Sequence, residues 1–356
     1  MEVSKNAAAT SADFSLGTIK IKVVKKLLGI YLSNAGWFWS RLPYSVQRMA
    51  AGRAYARHLN RLVLQHSSRR QEFGTFFLRN RPELRQLCHL VNEKPSGAHY
   101  NLLILACSKG AEVYSMAWAI RNSRPDLNPH ITAVDISQEI LDFAARGIYS
   151  LNSSDATDPV DEEAAKKRGD ISWNTSRGQN ASIFGRMSRE EIDAIFEVQG
   201  DQASVRSCLR QGITWLLGDA NDSGLRAKVG PQEIVVANRF LCHMAPEAAR
   251  RCLLNIAQLV RPGGYLFVSG VDLDVRTQVA VEMGWKPAGE MIREIHDGDT
   301  SIRCGWPREY WGLEPLDDRR SDWQIRYASV FQIAGDTGNL YGYPNGRVQG
   351  DSMTVA

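Results

Sequence analysis

Residues Leu102–Met116 read LLILACSKGAEVYSM, and this run restricts the fold more than any other stretch of the chain. Five apolar residues, Leu102 to Ala106, end in a turn of small residues, Cys107–Ser108–Lys109–Gly110, and an amphipathic helix starts near Glu112. That succession is a strand, a glycine turn and a helix N-terminus. Such a turn lets the backbone come close to a bound nucleoside, and the free N–H groups of a helix start favour negative or polar ligand atoms. A second apolar run, Ile131–Thr132–Ala133–Val134, closes on Asp135. An acid at the end of the second strand can bind both ribose hydroxyls. The chain has neither the phosphate-cradling GxxxxGK[ST] loop nor a full GxGxxG at this turn, which favours a nucleoside cofactor without a pyrophosphate, such as S-adenosylmethionine.

The pattern of apolar runs predicts strands at 101–106, 130–135, 213–217, 233–238 and 264–271, and helices near 112–122, 138–146, 246–260 and 274–283. Strands alternating with helices in this way make a parallel, doubly wound α/β sheet. Pro262–Gly263–Gly264 reads as a turn before the strand Tyr265–Gly270, and Gln324–Ile333 as a late edge strand. Two parts interrupt the alternation: a polar surface excursion over 151–186, and short inserted strands over 194–217. Upstream, Leu16 to Leu64 has helical spacing divided by Pro43, and a turn then leads into a helix starting around Pro82.

These patterns divide the chain into a disordered start (1–15), a basic helical domain (16–95), the α/β domain (96–335, with an inserted β-subdomain at about 187–217) and a flexible tail (336–356). Residues 1–70 hold 12 Lys and Arg against Glu2 and Asp13, a net of about +10, whereas the other 286 residues carry 31 basic and 37 acidic side chains, about −6. A basic module of this kind suits an acidic partner. Its positive residues are spread among apolar ones and match no nucleic-acid-binding motif, so an acidic protein surface is expected rather than nucleic acid. The six cysteines are scattered without a CxxC pair or a His-rich neighbour, so reduced thiols are expected and no metal site. Leu27–Trp39 is too short and too polar to span a bilayer, and no signal-peptide pattern is present; a cytoplasmic location, with peripheral association at most, follows as an expectation.

Four stretches, in order and spacing, resemble the CheR-type chemoreceptor methyltransferases. ACSKGAEVYSMA is similar to that family's ACSTGEEPYSLA, and Thr75–Phe76–Phe77–Leu78–Arg79–Asn80 to its TxFFRD segment. Ala133–Val134–Asp135–Ile136–Ser137, followed by Ala144, Gly147 and Tyr149, is similar to its ATDIS segment. Val235–Met244 and LVRPGGYLF (Leu259–Phe267) resemble its IFCRNVLIYF and LkPGGxLF. The match covers about residues 45–270.

The resemblance implies a Rossmann-like class I methyltransferase sheet with a helical N-terminal domain and a small inserted β-subdomain. It implies S-adenosylmethionine as methyl donor, S-adenosylhomocysteine as product, and O-methylation of protein glutamate side chains. Carried over, Thr75 and Arg79 approach the methionine end of the cofactor, Glu112 its amino group and Asp135 its ribose. Ala106, Ser108 and Gly110 of the first turn and Ile136 beside Asp135 join them. Asp219–Ala220 flank the adenine where the family has Asn-Leu, and Asn238–Arg239 follow the fourth strand.

Departures from the family concern the acceptor more than the cofactor. Lys109, Ala111 and Val113 replace Thr, Glu and Pro; Asn238–Arg239 inverts Arg-Asn; SGVDLDV stands where the family has GHSE; and Trp306–Pro315 has no counterpart. A carboxylate acceptor is ionised at pH 7 and needs an orienting cation, for which the planar fork of Arg79 is suited. His243 replaces the family's Tyr, and histidine can accept a proton at neutral pH, which suits a hydroxyl or amine acceptor. The aromatic residues Trp306, Tyr310 and Trp311 read as core or as pocket lining. The expected function is therefore methyl transfer to protein glutamates. Transfer to a small molecule or another side chain, or non-catalytic S-adenosylmethionine binding by a signalling adaptor, are the alternatives.

Overall fold

A computed structural model describes residues 74–152, 182–298, 314 and 316–334, together with scattered positions between 27 and 62. Residues 1–15, the tail from 336, the Trp306–Tyr310–Trp311 cluster and most of the 151–186 excursion, all subjects of expectations above, lie outside the described residues.

The central sheet has seven strands. In chain order its members are β1 (His99–Leu105), β2 (Asn128–Asp135), β6 (Ile213–Leu217), β7 (Gln232–Val236), β8 (Val260–Phe267), β9 (Lys286–Pro287) and β10 (Val330–Gln332). They lie in the order β6-β2-β1-β7-β8-β10-β9. The pairs from β6 to β8 are parallel, and β10 runs antiparallel to both β8 and β9. Order reverses at β1, whose neighbours are β2 and β7, so the crevice outside its carboxyl end is a topological switch point, where ligands bind in open α/β sheets.

Alternation along β1 shows why this sheet is buried on both faces. Leu103 and Leu105 point into one core with Val235 and Leu266, under the helices α5 (Pro246–Ala257) and α6 (Leu273–Glu282). Leu102 and Ile104 point into the other core, under α1 (Arg81–Asn92) and α2 (Ala111–Ser123). Period-2 residues facing opposite cores are what a central parallel strand requires. After β2, α3 (Gln138–Arg146) starts at the cap Ser137 and stops at Gly147, whose φ of 63° is left-handed.

Three short strands form a separate sheet in the order β3-β5-β4: β3 (Ile148–Ser150), β4 (Phe196–Gln199) and β5 (Gln202–Val205). The helix α4 (Arg189–Ile195) leads into β4 from a capping box at Ser188 and Glu191. Phe77 packs into this subdomain, with ring centroids 4.9 Å from Phe196, 5.1 Å from Tyr149 and 5.5 Å from Phe184. Its backbone N–H donates to Ile183 O at 3.0 Å. The aromatic cluster thereby anchors Phe77, which lies between Thr75 and Arg79 in the chain.

Two expectations are corrected. Pro262–Gly263–Gly264 is not a turn before β8 but lies within it, as an irregularity between the pairs Gln232–Val260 and Ile234–Tyr265. Glycine is required there because a Cβ at Gly264 would stand 2.7 Å from Glu233 O of β7. The segment 324–333 is not an edge strand. It holds the helix α8 (Trp323–Tyr327) and then β10, which is inserted between β8 and β9. Phe331 is fully buried there, and the edge falls to the two residues of β9.

Candidate functional site

Turns at the carboxyl ends of β1, β2, β6 and β7 enclose an outer cleft of about 940 Å³, open to solvent. The β1 turn supplies Ala106, Cys107 and Ser108; β2 supplies Asp135 and Ile136; β6 leads to Gly218, Asp219 and Ala220; and β7 leads to Asn238, Arg239 and His243. Thr75 and Arg79 from the segment before α1, and Glu112 from the first turn of α2, complete the wall. Of the residues expected from the sequence, only Gly110 does not line this cleft. It caps α2 at φ 83°, and a Cβ there would press on Ala144, Trp215 and Tyr114 at 3.1–3.3 Å. Its part is to let the turn close, so that Ser108 faces inward.

Asp135 is buried, and its Oδ2 accepts the Ser108 N–H at 2.9 Å while Oδ1 accepts the Ser137 N–H at 3.2 Å. Burial raises its pKa above the usual carboxylate range, and these backbone donors pull it back down. Each oxygen of an ionised carboxylate keeps a further acceptor site. The β2 and β6 ends are tied by Gly218 N–H to Asp135 O at 2.9 Å, and the β1 turn by Cys107 N–H to Val134 O at 3.0 Å.

A second, inner cleft of about 690 Å³ shares a wall with the first. Arg79, Glu112, Asn238 and Arg239 line both. Beyond them the inner cleft is bounded by Glu83 on α1, Ser115 on α2, Ser269 after β8, Arg276 on α6, and His296 and Tyr327. His296 lies on the helix α7 (Ile292–Asp297), and Tyr327 ends α8. His243 belongs to the outer cleft and not to the inner one.

Sequence reasoning missed Glu83. It is the third residue of α1, where Asn80 caps its N–H at 3.2 Å, and it is 5% exposed. Asn238 Nδ2 donates to Glu83 Oε1 at 2.6 Å and to Glu112 Oε1 at 2.8 Å, while its Oδ1 accepts from Ser269 N–H and Oγ–H. Burial, and then the charge of Glu112, push the Glu83 carboxyl up to about 7. Burial also raises Glu112, against the pull of Arg79. Arg79 donates from Nη2 to Gly74 O at 3.1 Å, and its buried Nε has no acceptor among the described residues.

Backbone strain concentrates at the same place. The described non-glycine residues with positive φ are Leu78, Ala106, Ser108 and Arg239. Three line the outer cleft and the fourth precedes Arg79. Such conformations cost on the order of 1–3 kcal/mol each and persist where the surroundings over-determine them, commonly at functional sites. Gly270 makes the Arg239 turn possible, because a Cβ on it would lie 2.7 Å from Arg239 Cα.

The sheet order, with β10 antiparallel between β8 and β9, is that of a class I methyltransferase α/β fold, with a cleft and a strand-end acid at its topological switch point. Residues 74–166 match the family model described as CheR methyltransferase, SAM binding domain. Over those residues the chain is similar to that S-adenosylmethionine-binding domain. It is 26% identical to "Chemotaxis protein methyltransferase 1" of Vibrio cholerae serotype O1 over 169 residues, 46% of this chain and 50% of the relative. It is 25% identical to "Chemotaxis protein methyltransferase" of Vibrio parahaemolyticus serotype O3:K6 over the same shares. The chain spans about half the length of the curated relatives it matches. Among solved structures, the N-methyltransferase NodS from Bradyrhizobium japonicum WM9, in complex with S-adenosyl-l-homocysteine, aligns at 14% identity. That alignment covers 58% of this chain and 76% of NodS, at a TM-score of 0.30.

Proposed function

We propose that the protein transfers a methyl group from S-adenosylmethionine to a carboxylate, most specifically a glutamate side chain of another protein. The observation that carries this reading is the shared wall, where Arg79, Glu112, Asn238 and Arg239 stand between the two clefts. S-adenosylmethionine supplies an electrophilic methyl group on a sulfonium. In the outer cleft the donor set fits it: Asp135 offers acceptors to ribose hydroxyls, Asp219 and Ala220 border the adenine end, and Glu112 takes the amino group. The relatives named for chemotaxis methyl transfer support a protein acceptor.

An acceptor carboxylate is ionised at neutral pH and needs no general base, but it must be aligned and stripped of water. Arg79 and Arg239 suit that task, because a guanidinium pairs with a carboxylate through two parallel N–H donors. A small-molecule acceptor is the second reading. The inner cleft favours it, being formed by side chains from several elements rather than by an open surface. The basic N-terminal segment, with exposed Leu27, Ile30, Trp37 and Phe38, supports docking on an acidic protein surface.

The test is transfer of labelled methyl groups to the protein fraction of cells that make this chain, followed by mild alkali. Methyl esters of glutamate release methanol, and alkali-labile label is the expected result. Alkali-stable label would replace the carboxylate with an amine or hydroxyl acceptor. Label confined to small molecules would favour the second reading.

A further inference from the structure

Glu83 and Glu112 come from different helices, yet both bond to one NH2 group, that of Asn238. Two buried carboxyls joined through one amide form a site for a positive charge, and without one they repel each other when both are ionised. The titratable and charged groups that line the cleft with Glu83 are Glu112 on α2, Arg79 before α1, Arg239 after β7, Arg276 on α6, His296 on α7 and Tyr327 on α8, and of these Glu112, Arg239 and Arg79 act on its charge. Arg276 is directed at main-chain oxygens, with Nη1 to Val268 O at 3.0 Å and Nη2 to Arg326 O at 2.9 Å. The His296 ring meets Glu314 O at 2.8 Å. Asn238 is therefore the polar group bonded directly to both acids, and its own oxygen is held by Ser269.

Resting on the cofactor reading above, we infer that Glu83 is a positioning residue coupled to the cofactor through a proton: in the free protein it shares Asn238 with Glu112 and holds a proton in part of the molecules at neutral pH, and it gives that proton to solvent when the cofactor's ammonium reaches the pair. The sign follows from charge. Burial first, and then the charge of Glu112, hold Glu83 up; a cation at Glu112 offsets the second of these, so binding favours loss of the proton and strengthens as pH rises. With its carboxyl at about 7 in the free protein, the effect falls in the neutral range. Once ionised, Glu83 holds Asn238 by a charge-assisted hydrogen bond and so stiffens the wall between the clefts.

The probe is S-adenosylhomocysteine, which carries the ammonium, titrated calorimetrically at pH 7 in two buffers of different ionisation enthalpy. The full chain should release about half a proton per molecule bound, and affinity should rise about tenfold from pH 6 to pH 8. Glu83→Gln, which keeps shape and charge neutrality, should bind with no proton release and a flat pH dependence. Infrared difference spectra of the unmutated protein give a readout that needs no variant: the protonated-carboxyl stretch should weaken when S-adenosylhomocysteine is added at pH 7. Binding without proton release, equal release from E83Q, or an unchanged carboxyl band would overturn the inference while leaving the cofactor site standing. Absence of any binding would overturn the cofactor reading together with it.

Discussion

The outer and inner clefts share four residues but are built in different ways. Strand-end turns make the outer cleft, and much of its chemistry is main chain: the Ser108 and Ser137 N–H groups hold Asp135, and Gly218 ties β6 to β2. Side chains from helices far apart in sequence make the inner cleft, with Glu83, Arg276, His296 and Tyr327 contributed by four of them. A cleft of turns is fixed by the sheet and tolerates side-chain change where only backbone is used. A cleft of side chains changes its chemistry with each substitution. The first turn keeps its glycine and the strand-end acid while Lys109, Ala111 and Val113 change around them, and of the other changed residues His243 lines the outer cleft alone whereas Asn238 and Arg239 line both.

The largest test of the contrast is Asp135→Ala. Losing hydrogen bonds to a charged group costs about 1–3 kcal/mol, so S-adenosylhomocysteine affinity should fall roughly 5- to 150-fold. Proton release on the residual binding should persist, because Glu83 and Asn238 are untouched. Simultaneous loss of both, read by calorimetry, would mean that the clefts do not act separately.

A second test is the stability of the free protein against pH. Glu83 is raised in the folded state, so the native protein binds more protons than the unfolded chain between about pH 4.5 and 7. Its contribution to stability is therefore greatest below that window and declines as pH rises through it. Urea midpoints should fall across the window by the equivalent of on the order of 2 kcal/mol, and E83Q should remove most of that slope. An identical slope in the variant would assign it to another group, such as Glu112 or Asp135, which are raised in the same direction.

Legibility in the sequence follows the same divide. The turn at Cys107–Gly110 and the acid Asp135 are legible because a strand, a turn and a helix start are consecutive residues and their pattern carries their geometry, whereas the places of Ser108 and Glu112 within that pattern come from the family resemblance. Asp219 and Asn238 were reached only through resemblance to a family, since nothing local distinguishes them. Glu83 was invisible: three residues after a capping Asn it reads as an ordinary first-turn acid, and its importance comes from Asn238, 155 residues away. The position of β10 was hidden for a related reason. Its three residues alternate no better than an edge strand, and its central place comes from pairing with both β8 and β9.

Gly110→Ala sharpens the contrast at a smaller scale. The substitution places a Cβ at φ 83° against Ala144, Trp215 and Tyr114, and should destabilise by about 1–2 kcal/mol. Cofactor affinity should fall with it, since the Ser108 N–H moves with the turn. A variant as stable as the parent would show that the turn can open without cost. His243→Tyr carries the smallest expected effect. With a carboxylate acceptor the rate should change less than about twofold and stay nearly flat from pH 6 to 8. A loss of about 100-fold or more, with a rate that rises through a value near 6.5, would make His243 a base and the acceptor a hydroxyl or amine.

The central claim is that the outer cleft holds the methyl donor. Titration of the unmutated full chain with S-adenosylhomocysteine, read as heat, tests it without any need to know the acceptor. The account predicts one site per chain with a dissociation constant of about micromolar, corresponding to roughly −8 kcal/mol. No heat of binding at millimolar ligand, from protein shown to be folded, would contradict it.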